Sequence, residues 1–273
     1  MKTIKLIAID IDGTLINDQR AVTPKTAKAI QQASAAGIQV VICTGRPMTG
    51  VKPFLEQLGL AHSDQEYVVG FNGGLAQTTN GQVVVNYTVS FDDYIDILAY
   101  ATKHDVKSLI ETKDYIYTTN QDISPYSVHE SGLVFMPMRY RSLDQMNAMR
   151  QQIVIGKFMM TDERTKLDQA QQAMPEELAN RFKIVRSEDY YLEFVNHRAG
   201  KGATLAALCD HLNIDANEVM AIGNAQNDES MIEFSGTGVA MGNSIPSTIA
   251  KADVVVADNN HDGVAEAIEK YAL

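Results

Sequence analysis

The chain of 273 residues has room for one large or two ordinary domains, and two is the better expectation at about 100 to 200 residues each. Its 45% hydrophobic and 21% charged content, with 18 Gly and 7 Pro, excludes disorder and collagen-like repeats. The formal net charge of −11 argues against a nucleic-acid or anionic-membrane surface, since either demands a basic footprint.

In chain order, the sequence predicts a strand over residues 6–11 and a helix over 24–35, with Thr23 as N-cap, Pro24 in its first turn and Gly37 as its stop. A buried strand over 38–43, a helix over 48–58 and a strand over 67–71 follow. This alternation is the signature of βαβ units and a parallel sheet covered on both faces. The middle changes character. Segments 82–89 around Asn80-Gly81, and 108–111 with 115–118 around Lys113-Asp114, resemble hairpins. Helical patterns over 91–103, 143–151 and 163–180 interleave with strands over 154–160 and 183–195. This stretch reads as a separate α+β unit inserted into the first domain. After His197 the α/β rhythm returns: helix 201–212, strand 219–222, helix 228–234, strand 238–241, helix 246–250, strand 254–256 and helix 263–271. The two ends are expected to form one sheet.

No apolar run nears the roughly 18 residues needed to cross a bilayer. Residues 1–6 pass into the first strand pattern without a small-residue cleavage site. Cys43 and Cys209 both lie among apolar neighbours, which suits reduced core thiols better than a disulfide or a thiolate metal site. The cytoplasm is the expected compartment.

Four elements carry chemistry, and each falls just beyond a predicted strand or opens a helix of the α/β part, where parallel sheets gather ligands. The first is Asp10-Ile11-Asp12-Gly13-Thr14-Leu15. A turn at Asp12-Gly13 lets both carboxylates approach one ligand. Asp10 suits a nucleophile that attacks phosphorus, and Asp12 the acid and base that serves the leaving oxygen and the water. The plainer reading makes Asp12-Gly13 a turn alone. The second is Thr44-Gly45-Arg46-Pro47, a strand-to-helix turn whose hydroxyl and N–H groups can hold phosphate oxygens. Arg46 either meets phosphate or pairs with a nearby acid. The third is Lys201, a cation placed against the helix macrodipole and therefore in need of another partner, such as phosphate. The fourth, Gly223-Asn224-Ala225-Gln226-Asn227-Asp228, offers the oxygen ligands that Mg²⁺ prefers, although Asp228 is equally suited to opening the next helix.

With these motifs in place, the chain resembles haloacid dehalogenase (HAD) superfamily phosphatases of the Cof type, many of them bacterial sugar-phosphate phosphatases. The resemblance spans essentially the whole length. It implies a Rossmann-like parallel-sheet α/β core, residues 1–84 and 193–273, with an inserted α+β cap, residues 85–192, that selects substrate. It also implies Mg²⁺ as cofactor and a small phosphorylated metabolite as substrate. Asp10 matches the family's nucleophile and metal ligand, and Asp12 its acid/base, whose main-chain carbonyl also meets the metal. Lys201 matches the lysine that steadies nucleophile and phosphoryl group. Thr44 matches the phosphate hydroxyl, and the expected phosphate contacts are Ile11, Thr44, Gly45, Arg46, Lys201 and Asn227. Asn224 and Asp228 complete the expected metal set with Asp10 and Asp12. Asn72-Gly73-Gly74 resembles a turn that precedes the cap. One departure stands out: Asn224 occupies a position where the family usually has a metal-binding Asp, so weaker metal affinity is expected.

The six His residues lack metal-site spacing. There is no P-loop, and Gly236-Thr237-Gly238-Val239-Ala240-Met241 falls short of a dinucleotide fingerprint. Two rivals remain open on sequence: a phosphotransferase or sugar phosphomutase using the same aspartyl-phosphate, and a phosphometabolite-binding protein weakened in catalysis by Asn224. Oligomeric state is not legible.

Overall fold

Short runs of apolar residues with no polar face begin the first sheet. β1 (Leu6–Ile9) is buried along its whole length, and β2 (Gln39–Cys43) along nearly all of it. Strands covered on both faces require this composition. Between them α1 (Pro24–Ala35) starts where expected: the Thr23 hydroxyl accepts from the Thr26 N–H at 3.2 Å, and Pro24 occupies the first turn. α2 (Met48–Leu58), β3 (Tyr67–Gly70), β4 (Leu75–Thr78) and β5 (Val83–Asn86) follow.

The structure, a computed structural model, describes residues 3–273 and divides into two units. The first contains the chain through Gly45, Val51–Asn86 and Gly200–Leu273, and the second contains Arg46–Gly50 and Tyr87–Ala199. The second unit's regular elements are α3 (Phe91–Lys103), β6 (Ser108–Thr112), β7 (Ile116–Thr118), α4 (Pro125–Leu133), β8 (Met138–Tyr140), α5 (Leu143–Ala148), β9 (Ile155–Thr161), α6 (Arg164–Gln172), α7 (Glu176–Ala179), β10 (Phe182–Glu188) and β11 (Tyr191–Asn196). The first unit then resumes with α8 (Lys201–Leu212), β12 (Val219–Gly223), α9 (Glu229–Phe234), β13 (Thr237–Ala240), α10 (Pro246–Lys251), β14 (Val254–Val255) and α11 (Gly263–Tyr271).

In the first unit the two ends of the chain share one sheet, as the sequence implies, in the order β14-β13-β12-β1-β2-β3-β4-β5. The strands from β14 through β3 are parallel, and β4 and β5 add an antiparallel hairpin at the edge. The order has a functional consequence. From β1 the chain winds one way to β2 and β3, and after the insertion it winds the other way to β12, β13 and β14. The reversal falls between β1 and β12, the point where open α/β sheets leave a crevice beyond their carboxyl ends.

The second unit is a six-stranded sheet, β10-β11-β9-β6-β7-β8, antiparallel except for the β7–β8 pair. Alternation along β9 sends Phe158 and Met160 into one apolar cluster with Ile97, Leu167 and Phe194, and Met159 into another with Leu109, Met136 and Tyr191. Met136, Met159 and Met160 therefore fill the core. The single helix expected over 163–180 is two, because Pro175 lacks the N–H that a continuous helix would use. α4 and β8 are additions to the expected elements. Among the described residues, no helix is long and apolar enough to cross a membrane.

This second sheet also buries charge. Lys157 Nζ lies 3.1 Å from Glu111 on β6 and 3.4 Å from both Glu130 on α4 and Glu193 on β11. Burial pushes Glu111 well above the usual carboxylate range despite the pull of Lys157, and Glu130 and Glu193 add to the rise. A group whose folded pKa is raised stabilises the fold fully below its unfolded value, about 4.3, and loses that contribution as pH climbs toward the folded value. Glu111→Gln imitates the protonated form. Thermal melts are expected to show a midpoint near the parent's at pH 5 and several degrees above it at pH 8; a difference independent of pH would refute the assignment.

Candidate active site

The site begins where β1 stops. Asp10 directly follows the strand, and its N–H still reaches the Ile222 carbonyl of β12 at 3.1 Å. The chain then turns sharply: the Thr14 and Ile16 N–H groups both return to the Ile11 carbonyl, at 3.3 and 3.1 Å. Gly13 makes this possible with φ of +76°, and a Cβ there would stand 2.5 Å from Asn224 Nδ2. The first and fourth sequence motifs are thus in contact. Thr14 Oγ1 also donates to Asn224 Oδ1 at 3.1 Å.

Lys201, the first residue of α8, reaches into the same place. Its Nζ donates to Asp10 Oδ1 and to Asp228 Oδ1, both at 2.6 Å. All three side chains are buried, Lys201 at 1%, Asp10 at 5% and Asp228 at 0% exposure. Burial alone would depress the ammonium, but Asp10 and Asp228 hold it above the usual lysine range. Burial and the neighbouring Asp228 push Asp10 up to about 7 against the pull of Lys201. With both carboxylates ionised on one ammonium, the cluster carries one negative charge in excess.

Both oxygens of Asp228 are in use. Its Oδ2 accepts from the main-chain N–H groups of Asn224 at 2.9 Å and Ala225 at 3.0 Å, while Oδ1 takes Lys201. Gly223 allows this fold-back, because a Cβ there would lie 2.4 Å from Asp228 Cβ. Asp228 therefore shapes the fourth loop through one oxygen and anchors Lys201 through the other.

The remaining expected residues divide into two groups. Thr44 is buried beyond β2, its N–H on the Val69 carbonyl at 2.8 Å and its own carbonyl taking the Asn72 N–H at 3.0 Å. Gly45 lies against the Asn72 side chain, whose Oδ1 accepts from Asn227 Nδ2 at 2.9 Å. Ile11 is buried, while Asp12 is exposed on the turn. Residues of all four strand-end segments are thereby linked within the first unit. Arg46 is the exception: it belongs to the second unit, where its guanidinium donates to the Gly50 carbonyl at 3.4 Å. His197 also lies in that unit, exposed and bonded to the Asn180 carbonyl. Both thiols are buried, and burial drives Cys43 upward and Cys209 to about 12, as suits inert core cysteines.

Two amides that the sequence reading passes over also touch the site. Asn243 and Asn259 hold the Asp12 turn from behind. Both follow strands of the same sheet, so the strand-end rule that singles out Asp10 would have found them.

The family model of haloacid dehalogenase-like hydrolases matches residues 7–268. This chain belongs to that family. The hydrolase is 41% identical, over 99% of each chain, to a Streptococcus pyogenes protein named "Putative phosphatase". A haloacid dehalogenase-like hydrolase from Bacteroides thetaiotaomicron superposes with a TM-score of 0.88 at 28% identity, covering 98% of this hydrolase and 99% of that chain. A HAD subclass IIB sugar phosphatase shares the fold at a TM-score of 0.76 and 20% identity, with 98% of each chain covered.

The family implies a divalent cation, and the residues fit one. Asp10, the Asp12 main-chain carbonyl and the Asn224 amide oxygen are hard oxygen donors of the kind Mg²⁺ takes while keeping several waters. Excess negative charge around Lys201 gives a cation something to neutralise. Among the described residues no three His, Cys, Asp or Glu side chains form a metal cage, so any such ion relies on main-chain, amide and water oxygens as well.

Removing the ammonium from this hydrolase leaves Asp10 and Asp228 buried together. Lys201→Met is expected to destabilise the fold by about 3–5 kcal/mol, the usual result of breaking a buried ion pair from one side. Urea unfolding at pH 7 measures it; an unchanged midpoint would show that the ion triad is not what holds these loops.

Proposed function

We propose that this hydrolase is a Mg²⁺-dependent phosphatase of small phosphorylated metabolites, sugar phosphates first among them, acting in the cytoplasm through an aspartyl-phosphate on Asp10. The observation that carries the proposal is the buried Asp10–Lys201–Asp228 triad at the strand-order reversal, in a chain of this family. The inserted unit is assigned the choice of leaving group. The phosphatase names of its relatives, and the sugar phosphatase that shares its fold, support the substrate class.

In the first step a carboxylate oxygen of Asp10 forms a bond to phosphorus as the bond from phosphorus to the ester oxygen breaks, and Asp12 gives its proton to that departing oxygen. In the second step Asp12, now ionised, takes a proton from water as its oxygen attacks phosphorus. The bond to Asp10 breaks and inorganic phosphate leaves. Lys201 fixes Asp10 through one hydrogen bond and places a positive charge beside the phosphoryl oxygens. Thr44, Gly45, Ile11 and Asn227 are assigned to phosphate binding. Asp10, the Asp12 carbonyl and Asn224 would hold Mg²⁺, with the Asp228 charge nearby, and the ion would supply further neutralisation of phosphoryl charge.

The nucleophile assignment predicts that Asp10→Asn loses at least about a thousandfold in kcat with p-nitrophenyl phosphate, and that acid-quenched wild-type protein carries a base-labile phosphoryl group on Asp10. Substantial turnover by Asp10→Asn would remove the assignment. Asn224→Asp restores a negative charge, so the Mg²⁺ concentration giving half-maximal activity should fall severalfold. Titrating MgCl₂ into chelator-treated enzyme tests this, and an unchanged midpoint would place the metal elsewhere.

A further inference from the structure

The turn carrying Asp12 satisfies its polar groups in two different ways. Its N–H groups bond locally: Thr14 and Ile16 to the Ile11 carbonyl, Leu15 to the Asp10 carbonyl. Two of its carbonyls are instead held by side chains from more than two hundred residues away. Asn243 Nδ2 donates to the Gly13 carbonyl at 2.9 Å, and Asn259 Nδ2 to the Ile16 carbonyl at 3.0 Å. The two amides are joined, because Asn243 Oδ1 accepts from the Asn259 main-chain N–H at 3.3 Å. Asn259 is buried, and its amide also donates to Asp18 Oδ1 at 3.3 Å. Asn260 closes the far end, donating to Asp18 Oδ2 at 3.0 Å while its Oδ1 accepts from the Asp18 N–H at 3.1 Å.

We propose that Asn243 and Asn259 are positioning residues that clamp the Asp12 turn, so that the Asp12 carboxyl is held where it meets the leaving oxygen. The inference rests on Asp12 being the general acid of the proposed reaction. Gly13 lies in the middle of the turn and is the residue type least able to hold its own dihedral angles. A general acid must stay within hydrogen-bond reach of the oxygen it protonates, and a displacement of about 1 Å can cost on the order of a hundredfold in rate. The clamp supplies from outside the turn the rigidity that glycine removes from within it. It also links the loops after β13 and β14 to the chemistry, although their side chains meet only the main chain of the turn.

The experiment uses leaving groups that differ in their need for a proton. p-Nitrophenolate departs readily unprotonated, whereas the alkoxide of β-glycerophosphate does not. Asn243→Asp keeps the acceptor facing the Asn259 N–H and loses the donor to Gly13. Its kcat/KM for β-glycerophosphate is expected to fall at least about tenfold further than its kcat/KM for p-nitrophenyl phosphate. Asn259→Asp should show the same selectivity; should this buried change prevent folding, the exposed Asn243 site carries the test, with a thermal melt to confirm its integrity. Equal losses on both esters, or no loss on either, would overturn the clamp while leaving Asp12 in place, provided that Asp12→Asn shows the selectivity. An Asp12→Asn variant that loses both esters equally would instead overturn the acid assignment and, with it, the clamp.

Discussion

A lysine ammonium sealed between two carboxylates is the constraint from which the first unit takes its shape. A buried cation must be paired, and removing either partner exposes an uncompensated charge to low-dielectric surroundings. Lys201 opens α8, where the helix macrodipole disfavours it, and Asp10 and Asp228 offset that cost at 2.6 Å each. To bring them together the fold needs β1 beside β12, a glycine at 223 with room for Asp228 to turn back, and a helix start aimed at both strand ends. The general architecture of parallel sheets becomes specific through this one contact.

The same contact accounts for how charge is distributed in the site. Asp228 is spent on Lys201 and on two main-chain N–H groups. At the next position where the family usually carries a carboxylate this chain has Asn224, whose oxygen already receives Thr14. The negative charge available to a cation is thus concentrated on Asp10, the group also assigned to attack phosphorus.

Much of this was legible in the sequence because strand ends announce themselves. Asp10, Thr44, Lys201 and the Asn224 loop each adjoin an apolar segment whose burial is readable from composition, and parallel-sheet topology then places them together. The limits are equally physical. Arg46 follows Thr44 by two residues yet groups with the second unit, because such grouping depends on three-dimensional contact that proximity in sequence does not reveal. The break at Pro175 was readable from proline chemistry, but the helical periodicity around it masked the signal. Asn243 and Asn259 also follow strands, but they meet the turn as loop amides whose partners at 13 and 16 lie more than two hundred residues away. Asp228 shows the remaining gap. Its motif position suggested a metal ligand or a helix start, and only the hydrogen-bond directions show both its oxygens engaged by Lys201 and the loop N–H groups.

The strand order also sets a schedule for biosynthesis. β1 lies in the middle of its sheet, but β12, its neighbour on one side, begins at residue 219. Emerging from a ribosome at about 5–20 residues per second, the chain leaves that flank of β1 unpaired for roughly 10–40 seconds. Throughout this interval a fully apolar strand presents open main-chain groups, the arrangement that invites intermolecular association. All of the intervening second unit is synthesised meanwhile, with sheet neighbours drawn from its own segment. The insertion thus imposes a waiting period on the nascent first unit, during which chaperone access or the speed of translation bears directly on yield.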